Sequence, residues 1–196
     1  MIGLRALGLW GAVLLALAVP VVLSLVSPLL VWRDPVYIIA GLAGVLAMGV
    51  LLLQPLLAMG LLPGLSGARG RRLHRWTGAS LVVLIVLHVL GLWLTSPPDV
   101  IDALTFTSPT PFTPWGVVAM WAVFGAALLA LFRKRLRPRH WRRIHTALAA
   151  VIVVGSVVHA MLIEGTMEFL TKSALCALVL VATALAVSRV WKPRPR

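Results

Sequence analysis

The sequence predicts an all-α fold, a six-helix transmembrane bundle with both termini cytoplasmic, and three observations predict it. Hydrophobic residues make up 61% of the 196 residues, and the mean hydropathy is +1.02. That is more apolar surface than a soluble domain of this length can hide while keeping a polar exterior. Six stretches, at about 6–31, 36–62, 74–95, 115–132, 144–163 and 170–190, each supply the roughly 20 apolar residues that a spanning helix needs. The charges gather at alternate ends of these stretches. Together the six use most of the chain, so residues 1–196 form a single membrane domain.

The first stretch has a basic start and the run Ala16-x-Ala18, as a signal peptide does. Its apolar run continues past Pro20 to Val31, long enough to span, so an uncleaved first helix is expected. Trp32-Arg33-Asp34-Pro35 turns the chain on the outside, and Pro63-Gly64 with Gly67 and Gly70 turns it inside. Pro20 and Pro55 fall within the first and second helices, where neighbours can satisfy freed carbonyls. The longest connection, roughly Ser96 to Pro114, is rich in Pro, Ser and Thr. It reads equally as a substrate-facing loop or a long tether. Cys176, the single cysteine, lies in the sixth helix and reads as a small buried hydrophobe.

A net charge of +13 raises the question of nucleic acid, and the placement of the cations answers it. Arg5, four arginines between Arg69 and Arg75, seven cations from Arg133 to Arg143, and Arg189, Lys192, Arg194 and Arg196 account for sixteen of the 18 cations, all on one side. The positive-inside rule makes that side the cytoplasm. The five acids, Asp34, Asp99, Asp102, Glu164 and Glu168, fall on the other. Topology thus explains the basic loops without a nucleic-acid partner. Trp32, Trp76, Trp93, Trp115, Trp141 and Trp191 lie near predicted helix ends, where indoles favour the interface.

Four of the five histidines form two matched pairs. Arg71-Arg72-Leu73-His74 opens the third helix and Arg142-Arg143-Ile144-His145 opens the fifth, and each is followed 14 residues later by a second histidine, His88 and His159. Fourteen helical residues rise about 21 Å and return to within about 40° of the same face. The two helices run in the same direction, because one helix separates them. His74 and His145 therefore share a depth near the cytoplasmic surface, and His88 and His159 share one toward the outer half. A lone intramembrane histidine often serves only as an interhelical hydrogen-bond partner; two equally spaced pairs call for more.

Two facing imidazoles are too few donors for zinc, and copper sites of this kind recruit further ligands. No Cys, Asp or Glu is expected at either depth. Haem brings four nitrogens of its own and needs two axial ligands, so two bis-histidine haems of the b type fit, one on His74 and His145, the other on His88 and His159. No Cys-x-x-Cys-His occurs, so attachment is non-covalent. Arg72, Arg75 and Arg143 are candidate partners for propionates, or serve topology alone. His140 has no partner at a matching depth and reads as a solvated loop residue.

These pairs, with Gln54-Pro55-Leu56 late in the second helix where relatives often have Thr-Pro-Leu, resemble the ferric-reductase-like transmembrane domain from about Leu51 to Lys192. Ferric reductases, NADPH oxidases and the haem-binding membrane subunit of the periplasmic methionine-sulfoxide reductase system share that domain. The resemblance implies electron transfer through haem b, from a cytoplasmic donor to an outer acceptor: ferric iron, oxygen or a periplasmic reductase. Ferric reductases and NADPH oxidases carry a flavin- and NAD(P)H-binding module after the last helix. Only Lys192–Arg196 follow it here, and no strand-linked Gly-x-Gly-x-x-Gly occurs. The expected donor is therefore a separate cytoplasmic flavin reductase or membrane quinol, and the expected setting a bacterial inner membrane. The methionine-sulfoxide reductase subunit matches in size and helix count, but its third-helix pattern lacks a histidine equivalent to His74. A cytochrome of the b561 type and a small proton channel or carrier are the alternatives, the latter weakened by the absence of Asp, Glu, Lys and Arg from the predicted helix centres.

Overall fold

The computed structural model describes residues 3–191 and is helical throughout, with no strand among the described residues. Seven α-helices follow in order: α1 (Leu4–Leu25), α2 (Pro35–Ala58), α3 (Gly67–Thr95), α4 (Pro97–Leu104), α5 (Thr113–Leu131), α6 (Pro138–Leu162) and α7 (Phe169–Trp191). All except the short α4 are long and apolar enough to cross a bilayer. Lys192, Arg194 and Arg196, counted among the basic-end cations, lie outside the described residues.

Local chemistry sets the ends, and several differ from the expected boundaries. The first span stops at Leu25 rather than running to Val31. Pro28 lacks an N–H and holds Ser27 extended (φ −64°, ψ 131°), so only a 3-10 turn over Pro28–Leu30 follows. The Asp34 carboxylate accepts from the N–H of Val36 at 2.7 Å and Tyr37 at 3.4 Å. With Pro35 in the first turn, this cap stabilises the start of α2 by about 1 kcal/mol. The second helix ends at Ala58, short of residue 62, where Gly60 turns left-handed at φ +64°.

The third and fifth spans differ the other way. The helix bearing His74 begins at Gly67, and that bearing His145 begins at Pro138. Arginine is a good helix former, so the basic runs continue the spans as helix beyond the apolar core. His140 therefore sits in the first turn of α6, exposed, and not in a loop. The connection from Ser96 to Pro114 contains α4, started by Pro97 and by Ser96 Oγ donating to Asp99 Oδ2 at 2.6 Å.

The packing forms a closed circuit. Two hairpins, α2 on α3 and α5 on α6, make the largest helix contacts; α3 touches α5, α7 joins α6 to α2, and α1 lies outside on α2 and α7. Ala47, Met48, Leu51 and Leu52 of α2, Leu81 of α3, Ala122 and Val123 of α5, Ile152, Val153 and Val157 of α6, and Leu175, Cys176 and Val179 of α7 share one core. Small residues set the hairpin spacing. A Cβ on Gly91 would stand 2.7 Å from Ala40 Cβ, and one on Gly155 2.9 Å from the Trp115 carbonyl oxygen. Large residues such as Leu15, Leu128 and Val181 face outward, 57–64% exposed, as a lipid-facing surface requires.

Candidate functional site

The four histidines meet in the pairs and layers that their spacing predicts. The His74 and His145 ring centroids lie 6.2 Å apart, with their planes at 72°. Those of His88 and His159 lie 6.5 Å apart at 85°. No hydrogen bond joins the members of either pair among the described residues. The core residues Leu81, Leu51, Ala122 and Val153 lie between the two layers in sequence on the four helices involved.

Backbone carbonyls orient the rings. His74 Nδ1 lies 3.2 Å from the Gln54 oxygen, His88 Nδ1 2.8 Å from that of Ala40, and His159 Nδ1 2.9 Å from that of Phe112. A carbonyl only accepts, so each of these Nδ1 atoms carries its proton and donates. The neutral ring then keeps a lone pair on Nε2, on its other side. This is the arrangement of a metal-ligating histidine oriented by a second group.

Glycines open the space for two of the rings. A Cβ on Gly116 of α5 would lie 2.6 Å from His159 Nδ1, and one on Gly44 of α2 would lie 3.1 Å from His88 Nδ1. The two hairpins repeat one device: a carbonyl that accepts the imidazole proton (Ala40, Phe112) and, four residues on, a glycine beneath the ring (Gly44, Gly116). Neither the acceptors nor the glycines were picked out from the sequence. The i, i+4 spacing was the available signal, but its meaning depends on histidines 43 to 48 positions away in the chain.

The layer nearer the basic loops is less regular. Gln54 Nε2 donates to Thr77 Oγ1 at 2.8 Å, bracing the helix turn after His74. His145 Nδ1 is buried and has no hydrogen-bond partner among the described residues. Instead, Trp141, one turn earlier on α6, stacks on its ring at 5.2 Å and 11°. Trp141 is thus more than the interface indole expected from its place near a helix end. Of the candidate propionate partners, Arg72 and Arg75 are exposed on α3 near His74. Arg143 is also exposed, with its guanidinium over the Trp191 ring at 5.7 Å.

Lys172 is a buried cation that the sequence reading grouped with no site. It is 6% exposed, and its Nζ donates to the Ile163 carbonyl at 2.8 Å, one turn beyond His159. At the same end the Glu168 carboxylate accepts from the N–H of Leu170 and of Thr171, each at 2.8 Å. Those bonds hold its carboxyl below the ordinary carboxylate range.

The described residues contain no group of three His, Cys, Asp or Glu side chains able to hold a metal ion. Whatever metal the imidazole pairs take must bring the rest of its ligands with it. The centroid separations of 6.2 and 6.5 Å leave room between the rings of each pair for one metal ion, and a donor set of two imidazoles fits haem.

Comparison with known families places the chain in one of them. The family model described as ferric reductase like transmembrane component matches residues 40–156, more than half of the chain. The chain belongs to this family. The match takes in His74, His88 and His145 and stops three residues before His159. No curated protein and no solved structure matches the chain. As a ferric-reductase-like protein, the chain is a multi-pass integral membrane protein of a class that carries electrons across membranes, and whose domains typically bind haem.

Proposed function

We propose that this ferric-reductase-like protein conducts electrons across the membrane through two b-type haems, held by His74 with His145 and by His88 with His159. The carrying observation is the pair geometry. Two imidazole pairs stand with ring centroids 6.2 and 6.5 Å apart, and three of the four rings are fixed by backbone carbonyls with Nε2 left free of that bond. When bound, each haem supplies a one-electron carrier, and its redox chemistry is its own.

The rest is work for the chain. α3 and α6 hold the four imidazoles, α2 and α5 orient three of them, and the apolar layer between keeps water out. The separation along the helices is about 21 Å, so the two sites occupy successive depths of a core about 30 Å thick. With the basic end in the cytoplasm, His74 and His145 form the entry site. The donor would be a separate flavoprotein or membrane quinol. His88 and His159 form the exit site, toward ferric iron, oxygen or a periplasmic reductase such as that acting on methionine sulfoxide. Arg72, Arg75 and Arg143 lie at the entry end, where propionates would meet cationic partners. A bacterial inner membrane suits this arrangement of charge.

Purified protein reduced with dithionite should show a b-type spectrum with two haems per chain. His88→Ala and His145→Ala should each retain about half of that haem, since each removes one axial ligand of one pair. Folded protein that takes up no haem would sink the proposal.

A further inference from the structure

The corner between α5 and α6 does more than reverse the chain. Arg133, Lys134, Pro138 and Trp141 line an open cleft there of about 270 Å³. α5 ends at Leu131, Arg133–Arg135 form one 3-10 turn, and Pro138 opens α6. Leu136 and Arg137 are extended between them, with ψ of 147° and 132°, the conformation favoured before a proline. One wall of the cleft is held from behind, because the Trp141 indole stacks on the His145 ring at 5.2 Å and 11°. The opposite wall is charged. Asp34 precedes α2, Asp99 and Asp102 lie on α4, and Glu164 and Glu168 lie between α6 and α7, so all five acids stand at the other end of the bundle. No carboxylate of the chain is there to neutralise Arg133 or Lys134. Arg135 is engaged elsewhere, its guanidinium over the Phe132 ring at 5.2 Å.

An apolar track leads to this cleft. Trp121, Leu128 and Phe132 are 45–59% exposed and fall within about 40° of one face at 100° per residue. The track ends at Phe132, beside Arg133. A cationic recess at the end of a lipid-facing stripe matches a molecule that is anionic at its head and apolar along its length, and basic recesses at the cytoplasmic ends of helices take such headgroups. We infer that the α5–α6 corner is a binding site for an anionic phospholipid of the leaflet at the basic end. Arg133 and Lys134 hold its phosphate, Trp141 walls the headgroup, and an acyl chain lies along Trp121, Leu128 and Phe132. A water-soluble phosphate compound shares the headgroup chemistry but gains nothing from the track. The inference is independent of what the histidines bind, although the Trp141 wall places the lipid one ring away from His145.

The test titrates the purified chain, delipidated in dodecyl maltoside, with phosphatidylglycerol, and reads bound lipid by native mass spectrometry and the melting temperature by light scattering. Phosphatidylglycerol should remain as an adduct and raise the melting temperature with concentration. Phosphatidylcholine, which has no net charge, should bind at least about tenfold more weakly. Arg133→Gln with Lys134→Gln should weaken phosphatidylglycerol at least about tenfold and leave phosphatidylcholine unchanged. Arg69→Gln with Arg71→Gln removes the same charge from the exposed start of α3 and should bind as wild type does. If the Arg133 and Lys134 double variant does not accumulate, the two single substitutions decide, each with an expected loss of about fivefold. Equal binding of the two lipids, unchanged affinity in the Arg133 and Lys134 variants, or an equal loss in the α3 control overturns the inference. Glycerol phosphate or inorganic phosphate that stabilises the chain as well as phosphatidylglycerol does would also overturn it, by assigning the cleft to a soluble anion.

Discussion

At the residue scale, the tightest constraint on the site is the missing Cβ of two glycines. Alanine at 116 would put a carbon 2.6 and 2.7 Å from two atoms of the His159 ring, inside any van der Waals contact. The ring is also pinned to the Phe112 carbonyl, so it cannot yield without losing its orientation. Gly116→Ala is therefore expected to lose about half of the bound haem, as removal of an axial ligand does. Gly44→Ala meets His88 at 3.1 and 3.3 Å, a contact that a shift of a few tenths of an ångström relieves, and should keep most of its haem. Gly41→Ala, with nothing within 4 Å, is the control. Haem per chain in the three variants checks the order, and equal retention in Gly116→Ala and Gly41→Ala would refute the packing argument. The histidines themselves were legible, because a step of 14 residues on a helix reports depth and face directly. The glycines and acceptor carbonyls were not. A carbonyl has no sequence signature, and a glycine in a membrane helix has many other uses.

At the element scale, the sequence reading succeeded on the apolar centres and failed at the ends. Hydropathy marks where lipid stops, whereas a helix stops where its backbone loses hydrogen bonds or gains a cap. That is why α3 begins at Gly67 and α6 at Pro138, several residues before their apolar runs. It is also why Pro97-Pro98, read as part of a loop, starts a helix: proline fits the first turn. The start of α7 shows the same logic with a charge. Glu168 accepts two backbone N–H bonds there, and its carboxyl pKa is lowered in the folded protein. A lowered pKa means that the ionised cap stabilises the fold above the unfolded-state pKa, and that this contribution is lost as pH falls through the folded value. Glu168→Gln should lower the melting temperature in detergent at neutral pH and leave it close to wild type under acid conditions, where the wild-type cap is protonated. A wild-type advantage that persists unchanged at low pH would rule the cap out as its source. Lys172 acts in the same region, its buried ammonium on the Ile163 carbonyl at the end of α6. Lys172→Met is expected to loosen the α6–α7 turn, seen as faster amide exchange at Ile163–Glu168, without changing the axial ligand count.

At the scale of the whole molecule, two hairpins of like design, α2–α3 and α5–α6, face each other, with α7 joining α6 to α2. Each hairpin contributes one imidazole to each layer, so neither builds a complete imidazole pair alone. The layers are about 21 Å apart along the helix axis, well over half the roughly 30 Å thickness of the hydrocarbon core. Under the proposed function, conduction across the membrane therefore depends on both sites. The critical measurement places the chain in vesicles with ferricyanide trapped inside and dithionite added outside. Wild-type protein should bleach the trapped ferricyanide. His88→Ala, which leaves the His74–His145 pair intact and still reducible, should fall to the rate of protein-free vesicles. His140→Ala, an exposed residue of the first turn of α6, should conduct as wild type does. Because the His88→Ala protein is expected to keep one spectroscopically visible haem, loss of folding and loss of the relay are distinguishable in the same sample. Undiminished transfer through that variant would mean that the stacked pairs are not the route, whatever they bind.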